Sequence, residues 1–163
     1  MPELICDTSP LQYLHQLGQL DLLRRLSERI VVPPAVADEL AAGKAAGFNV
    51  PLIGDHAWIT VRSPAGASAE RLIADLGRGE TEVLMLALES PASIAVLDDA
   101  MARRAALTLG INVTGTLGLL VDAKATGLVP AVRPLLERLQ ELGFWVSRRA
   151  RSLVLRKAGE ERL

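Results

Sequence analysis

The chain has 163 residues, half of them hydrophobic but only 3% aromatic, and a net charge of −1. That length fits one domain with its own core, and a core of Leu, Val, Ile and Ala suits helices packed on a parallel sheet. Near-neutral charge excludes a general polycation, so nucleic-acid binding would need a local patch or bound metal ions, and the single cysteine, Cys6, excludes an internal disulfide or a Cys-rich zinc site.

Leu4-Ile5-Cys6 reads as a short buried strand ended by Asp7. Ser9 then caps a helix with Pro10 at its first position and Leu11, Leu14 and Leu17 on its apolar face, closed by Gly18. A second short helix carries Leu20, Leu22, Leu23 and Leu26, and Leu11, Leu14, Leu17, Leu20, Leu22 and Leu23 together are more leucine than one core-facing stripe needs, so part of this surface is expected to be an interface between two copies. Arg29 to Val32 is a brief strand, stopped by Pro33-Pro34, and the next helix runs from Ala35 to about Ala42 with Asp38 and Glu39 in its middle. Residues 43–57 are rich in Gly and Pro and read as loop, and Trp58 to Val61 alternates like an edge strand. A helix is predicted from about Ser68 to Leu76, and a largely buried one from Glu80 to Glu89 after Gly77-Arg78-Gly79. Ile94 to Leu97 is the clearest buried strand, ended by Asp98-Asp99. A helix over 100–109 stops at Gly110, Ile111 to Val113 is a strand, and Thr114-Gly115-Thr116 turns into an apolar helix over 117–125. An amphipathic helix over 130–142 stops at Gly143, and Phe144-Trp145-Val146 is a last strand expectation. A basic amphipathic tail over 148–162 completes the chain. The alternation predicts an α/β fold with a small parallel sheet flanked by helices. No apolar run of about 18 residues and no basic-then-apolar start occur, so neither a membrane span nor a secretory signal is expected, and the cytoplasm is the expected location.

Asp7 and Asp98-Asp99 fall at the carboxyl ends of two predicted parallel strands, the edge where open α/β sheets hold their ligands. Glu39, Glu80 and Glu82 lie on flanking helices. Singly, most have a structural explanation. Asp7 or one of the Asp98-Asp99 pair can cap a helix, Glu80 can face a helix N-terminus, and Glu39 can be a solvated charge near Lys44. Together, clustered carboxylates repel unless a cation joins them, and oxygen-only ligands suit Mg2+ or Mn2+. Thr8, Ser9, Thr114 and Thr116 add hydroxyls at the same edge. The two histidines, His15 and His56, lack ligand spacing, which disfavours zinc and His-based chemistry. Gly-Arg-Gly-Glu lacks the Gly-Lys-Ser/Thr ending of a P-loop, and no Gly-x-Ser-x-Gly elbow occurs. Trp58 and Trp145 are isolated, which favours packing over base stacking.

These stretches resemble the PIN-domain family, the fold of the VapC-like toxin ribonucleases of toxin–antitoxin pairs. The resemblance rests on Ile5-Cys6-Asp7-Thr8-Ser9-Pro10-Leu11, Val31-Val32-Pro33-Pro34 leading to Glu39, and Leu76-Gly77-Arg78-Gly79-Glu80-Thr81-Glu82 leading to Leu86-Ala87. It continues through Leu97-Asp98-Asp99 with Arg103-Arg104, Val113-Thr114-Gly115-Thr116-Leu117-Gly118, and Phe144. It implies a nuclease domain over 1–147 with residues 148–163 as its basic tail. It also implies a site in which Asp7, Glu39, Glu80 and Asp98 act in catalysis, and in which these four, with Glu82 and Asp99, bind metal. Toxin register points to Glu82 and the Gly-Glu signature to Glu80, so the central-helix ligand stays open, as does the choice between Asp98 and Asp99. The implied activity is Mg2+- or Mn2+-dependent cleavage of RNA, with a cognate antitoxin and a homodimer as partners. Arg148, Arg149, Arg151, Arg156 and Lys157 are the expected RNA-facing patch. The rival reading is a non-catalytic nucleic-acid-binding or scaffolding protein on the same fold.

Overall fold

The computed structural model describes residues 2–66 and 75–161. Five short strands form one sheet: β1 (Leu4–Cys6), β2 (Ile30–Val32), β3 (Ile59–Val61), β4 (Ile94–Val96) and β5 (Val113–Thr114). The order is β3-β2-β1-β4-β5 and every neighbouring pair is parallel. The helices are α1 (Thr8–Gln16), α2 (Leu22–Leu26), α3 (Pro34–Ala45), α4 (Arg78–Glu89), α5 (Ala100–Thr108), α6 (Thr116–Ala125), α7 (Arg133–Glu141) and α8 (Arg148–Lys157). The helix predicted over Ser68–Leu76 falls almost wholly outside the described residues.

β1, β2 and β4 read as unbroken aliphatic runs because helices cover the sheet, and Leu4, Ile5, Cys6, Ala95 and Val96 have no exposed surface. The chain first builds outward from β1 to β2 and β3, then crosses to the other side of β1 for β4 and β5. The connections from β1 and β4 therefore diverge, and a crevice opens at the carboxyl ends of these two strands. Asp7 and Asp98 follow those strands directly.

Three sequence expectations change. Residues 144–146 pair with no strand. Gly143 ends α7 at φ +97, a left-handed conformation that glycine adopts without strain, and the chain leaves as an unpaired segment without regular structure. β5 covers Val113–Thr114 rather than 111–113, because Thr114 pairs with Val96. The leucines offered as an interface are core: Leu11, Leu14 and Leu23 are fully buried, Leu20 and Leu22 nearly so, and Leu17 packs on the same cluster. Such a thin sheet buries little by itself, so α1 and α2 must supply leucine from several faces.

The tail folds as α8, whose Val154 and Leu155, followed by Ala158, join the core beside α6. Glu160 then accepts from the Val132 and Arg133 amides at 2.7 and 3.0 Å and pairs with Lys124 at 3.1 Å. These bonds tie the chain end to the starts of α7 and hold Glu160 ionised below the usual carboxylate range despite its burial. Among the described residues no helix is long and apolar enough to cross a membrane.

Candidate active site

Asp7 sits where α1 would take its cap, yet its side chain makes no capping bond. Its amide instead donates to Val96 O at 3.1 Å, fixing it beside β4. The residue is 5% exposed. Burial pushes its carboxyl up to about 7; the Thr8 backbone amide opposes this, and Glu80, Glu39 and Asp98 add to it by repulsion.

Asp98 is held by three donors. The Thr116 amide donates to Oδ1 at 2.8 Å, and the Thr116 and Ser9 hydroxyls donate to Oδ2 at 2.7 and 3.0 Å. Thr116 is completely buried, so Asp98 is fixed from β5–α6 on one side and α1 on the other. Asp99 does what its neighbour does not: it caps α5, accepting from the Ala102 amide at 2.9 Å. Glu39 reaches in from α3, accepting from the Thr8 hydroxyl and from the Gly79 amide at 3.2 Å. A methyl on Gly79 would lie 2.9 Å from both Glu39 oxygens, which explains the glycine there. Glu80 follows in the first turn of α4 and accepts from the Gly77 amide at 3.2 Å. Burial, and behind it the charges of Asp99 and Glu39, raises its carboxyl above the ordinary range.

Asp7, Glu80, Asp98 and Asp99 line a cleft of about 1140 Å3, and Asp7, Glu39 and Glu80 share an adjoining pocket of about 220 Å3 with Thr8 and Ser9. Glu82 lines neither. Its Oε2 accepts from the Ala35 amide at 2.9 Å at the start of α3, and Arg78 lies 3.7 Å from Oε1. The two central-helix acids thus differ in surroundings. Glu82→Ala is expected to lower stability by about 1–2 kcal/mol, the usual cost of losing a helix-start acceptor, with little change in cleavage per folded molecule. Glu80→Gln is expected to leave stability equal or higher without divalent ions and to reduce cleavage. Urea titration and cleavage rate together separate the two; a Glu82→Ala protein that melts normally and cannot cleave reverses the assignment.

The hydroxyls divide as well. Thr8, Ser9 and Thr116 donate to the acids. Thr114 lies against Gly118, where a methyl would sit 2.3 Å from its Oγ1. Sequence reasoning gave no role to Arg103. Its Nη1 donates to Leu97 O at 3.1 Å and stays beside Asp98 without pairing with it. The readable signal was a cation one turn into the helix that follows the strand-end acids. Of the tail cations, Arg148 and Arg149 are exposed, Arg151 donates to Gln140 and Glu137, Arg156 pairs with Glu161, and Lys157 lines the large cleft.

Among the described residues no Lys or Arg forms an ion pair with Asp7, Glu39, Glu80, Asp98 or Asp99. A nearly buried carboxyl among acids with no paired cation fits a hard divalent ion. Among the described residues, no group of three or more His, Cys, Asp or Glu side chains stands close enough together to hold an ion directly. Mg2+ characteristically keeps several waters and takes one or two carboxylates. A search of curated proteins returned no match to this chain. A family model described as a PIN domain matches residues 3–160. With a parallel sheet that gathers acids at the ends of β1 and β4, and a match over nearly its full length, the chain belongs to the PIN-domain family, a nuclease fold.

Proposed function

We infer that this protein is a metal-dependent ribonuclease, and that its acids hold Mg2+ or Mn2+ against a phosphodiester. The observation that carries this reading is Asp7: a carboxyl nearly removed from water, its pKa raised by that burial and further by neighbouring acids, with no capping bond to explain it. Asp7, Glu39, Glu80 and Asp98 would hold the metal, in part through waters it retains, while Asp99 caps α5. Bound there, the ion supplies positive charge against the phosphate and acidifies the attacking water. Thr116 and Ser9 keep the Asp98 carboxylate aimed, Thr8 and the Gly79 amide do so for Glu39, and Asp7 must release its proton before it can serve as a ligand. The resemblance to VapC-like toxins extends the reading to the toxin half of a toxin–antitoxin pair. An antitoxin and a homodimer rest on that resemblance, since the leucines offered for a dimer are core. The cytoplasm fits an RNA substrate.

The deciding experiment is cleavage of labelled single-stranded and structured RNA with Mg2+, Mn2+ or chelator, with Asp7→Asn as control. Metal-dependent cleavage lost in the variant supports the reading; RNA binding with no cleavage under any ion supports the scaffolding alternative.

The tail makes a separate prediction. Neutralising Arg148, Arg149 and Lys157 together should weaken RNA binding and flatten the logarithmic salt dependence by about two, near 0.7 for each phosphate no longer neutralised. Arg156→Gln should change neither, because that guanidinium already pairs with Glu161 at 2.9 Å. A salt slope unchanged by the triple substitution makes α8 a plain solvated surface.

A further inference from the structure

The segment after Gly143 belongs to no helix or strand, and burial alternates along it: Phe144 and Val146 are half-buried and Trp145 between them is exposed. Phe144 turns inward, its ring meeting Tyr13 edge-on at 5.0 Å between centroids, and Val146 packs on the core. Trp145, between them, is 83% exposed and lines the cleft that contains the acids. The expectation that both tryptophans pack therefore holds only for Trp58, which lies on the core with Arg24 over its ring at 5.7 Å. An indole left in water within the cleft that holds the acids offers a flat apolar face to whatever binds there.

The charges in the same cleft identify its chemistry. Arg103 and Arg104 on α5 and Lys157 on α8 line it, and Arg148 and Arg149 are exposed on α8 as well. A polyanion that places one phosphate at the acids meets cations on the two helices beyond them. Leu107 and Leu153, both exposed on these helices, add apolar surface for base faces.

We propose that Trp145 is a platform on which one unpaired base of the bound polynucleotide stacks, with Arg103, Arg104 and Lys157 on the backbone. A paired helix keeps its base faces inside its own stack and cannot offer one to Trp145, whereas a single strand or an unpaired loop can. Trp145 is then a specificity residue that selects unpaired substrate. The proposal rests on the nuclease reading for the acid end of the cleft, and its test is independent of turnover.

The probe is an oligouridylate of about ten nucleotides, bound to the Asp7→Asn protein so that it stays intact. Titration should quench tryptophan fluorescence in the protein and not in Trp145→Phe. Trp145→Ala should weaken binding about tenfold, Trp145→Phe should retain most of it, and Trp145→Leu, apolar but without a π face, should behave like Ala. Duplex RNA should be bound equally by all four. Because Trp145 is exposed, none of these substitutions threatens the fold. Equal binding by the wild-type and Ala side chains, or full rescue by Leu, overturns the stacking platform. A Trp145 signal that follows protein concentration instead of oligonucleotide assigns the surface to a second copy of the chain and also overturns it. Trp145-dependent binding in a protein that cleaves nothing keeps this proposal and removes the nuclease reading; cleavage indifferent to Trp145 does the reverse.

Discussion

Asp7→Asn should abolish cleavage and at the same time make the metal-free protein more stable at alkaline pH. A carboxyl held at about 7 in the fold, against its ordinary 3.8, penalises the ionised folded state by up to about 4 kcal/mol. The sign follows from which state keeps the proton. Below 3.8 both folded and unfolded chains carry it, and Asp7 has no pH-dependent effect. Between 3.8 and about 7 the unfolded chain releases it while the fold retains it, so stability falls as pH rises, and above about 7 the full penalty stands. Asparagine removes that penalty but brings an amide that needs partners, so a net gain of about 1–3 kcal/mol is expected near pH 8 and essentially none near pH 4. Urea denaturation in chelator at both pH values measures it. Added Mg2+ or Mn2+ should raise the melting temperature of the unsubstituted protein and leave the variant where it was. Loss of a ligand that helps place the metal's charge removes several kcal/mol from the transition state, about a thousandfold or more in rate. A variant that gains equally at both pH values, or that responds to metal as the original does, breaks the link between burial, charge repulsion and ion binding on which the site rests.

Gly115→Ala should damage the same site without touching a charged residue. Gly115 has an extended backbone, φ −139 and ψ −175, that alanine adopts freely, so the effect is one of space. The added methyl would lie 2.7 Å from Arg103 Nη1, 2.9 Å from Asp98 Oδ1 and 3.0 Å from Leu97 O. Arg103 can swing away. Asp98 cannot move without stretching its bonds to Thr116 and Ser9, and Leu97 O belongs to the backbone beside β4. Overpacking of this kind costs about 1–3 kcal/mol. Displacing a carboxylate from its orienting partners costs about 10- to 100-fold in metal affinity or rate. Gly54→Ala, with nothing within 4 Å of the new methyl, is the matched control. Denaturation midpoints and cleavage rates for the pair provide the comparison, and a Gly115→Ala protein as active as the control shows that Asp98 has freedom the hydrogen bonds deny it.

Most of the strands and helices, and the sheet edge that carries the acids, are legible in the residues alone. Short aliphatic runs such as Leu4–Cys6 and Ile94–Val96 are strands because both faces are covered. Gly and Pro mark where helices stop, and an acid directly after a buried strand marks the ligand edge of a parallel sheet. Those signals are local, so they survive without coordinates. Which partners each acid meets depends on the packed fold. Asp98 and Asp99 are adjacent in sequence, yet one takes three hydrogen bonds across the sheet edge and the other caps a helix. Glu80 and Glu82 lie two residues apart on α4, a separation that turns side chains to different faces, and the second meets the amide of Ala35, far away in sequence. The leucines of α1 and α2 and the exposed ring of Trp145 reversed their sequence expectations for one reason. Whether an apolar side chain is core or surface depends on what lies across from it, and periodicity along the chain does not carry that information.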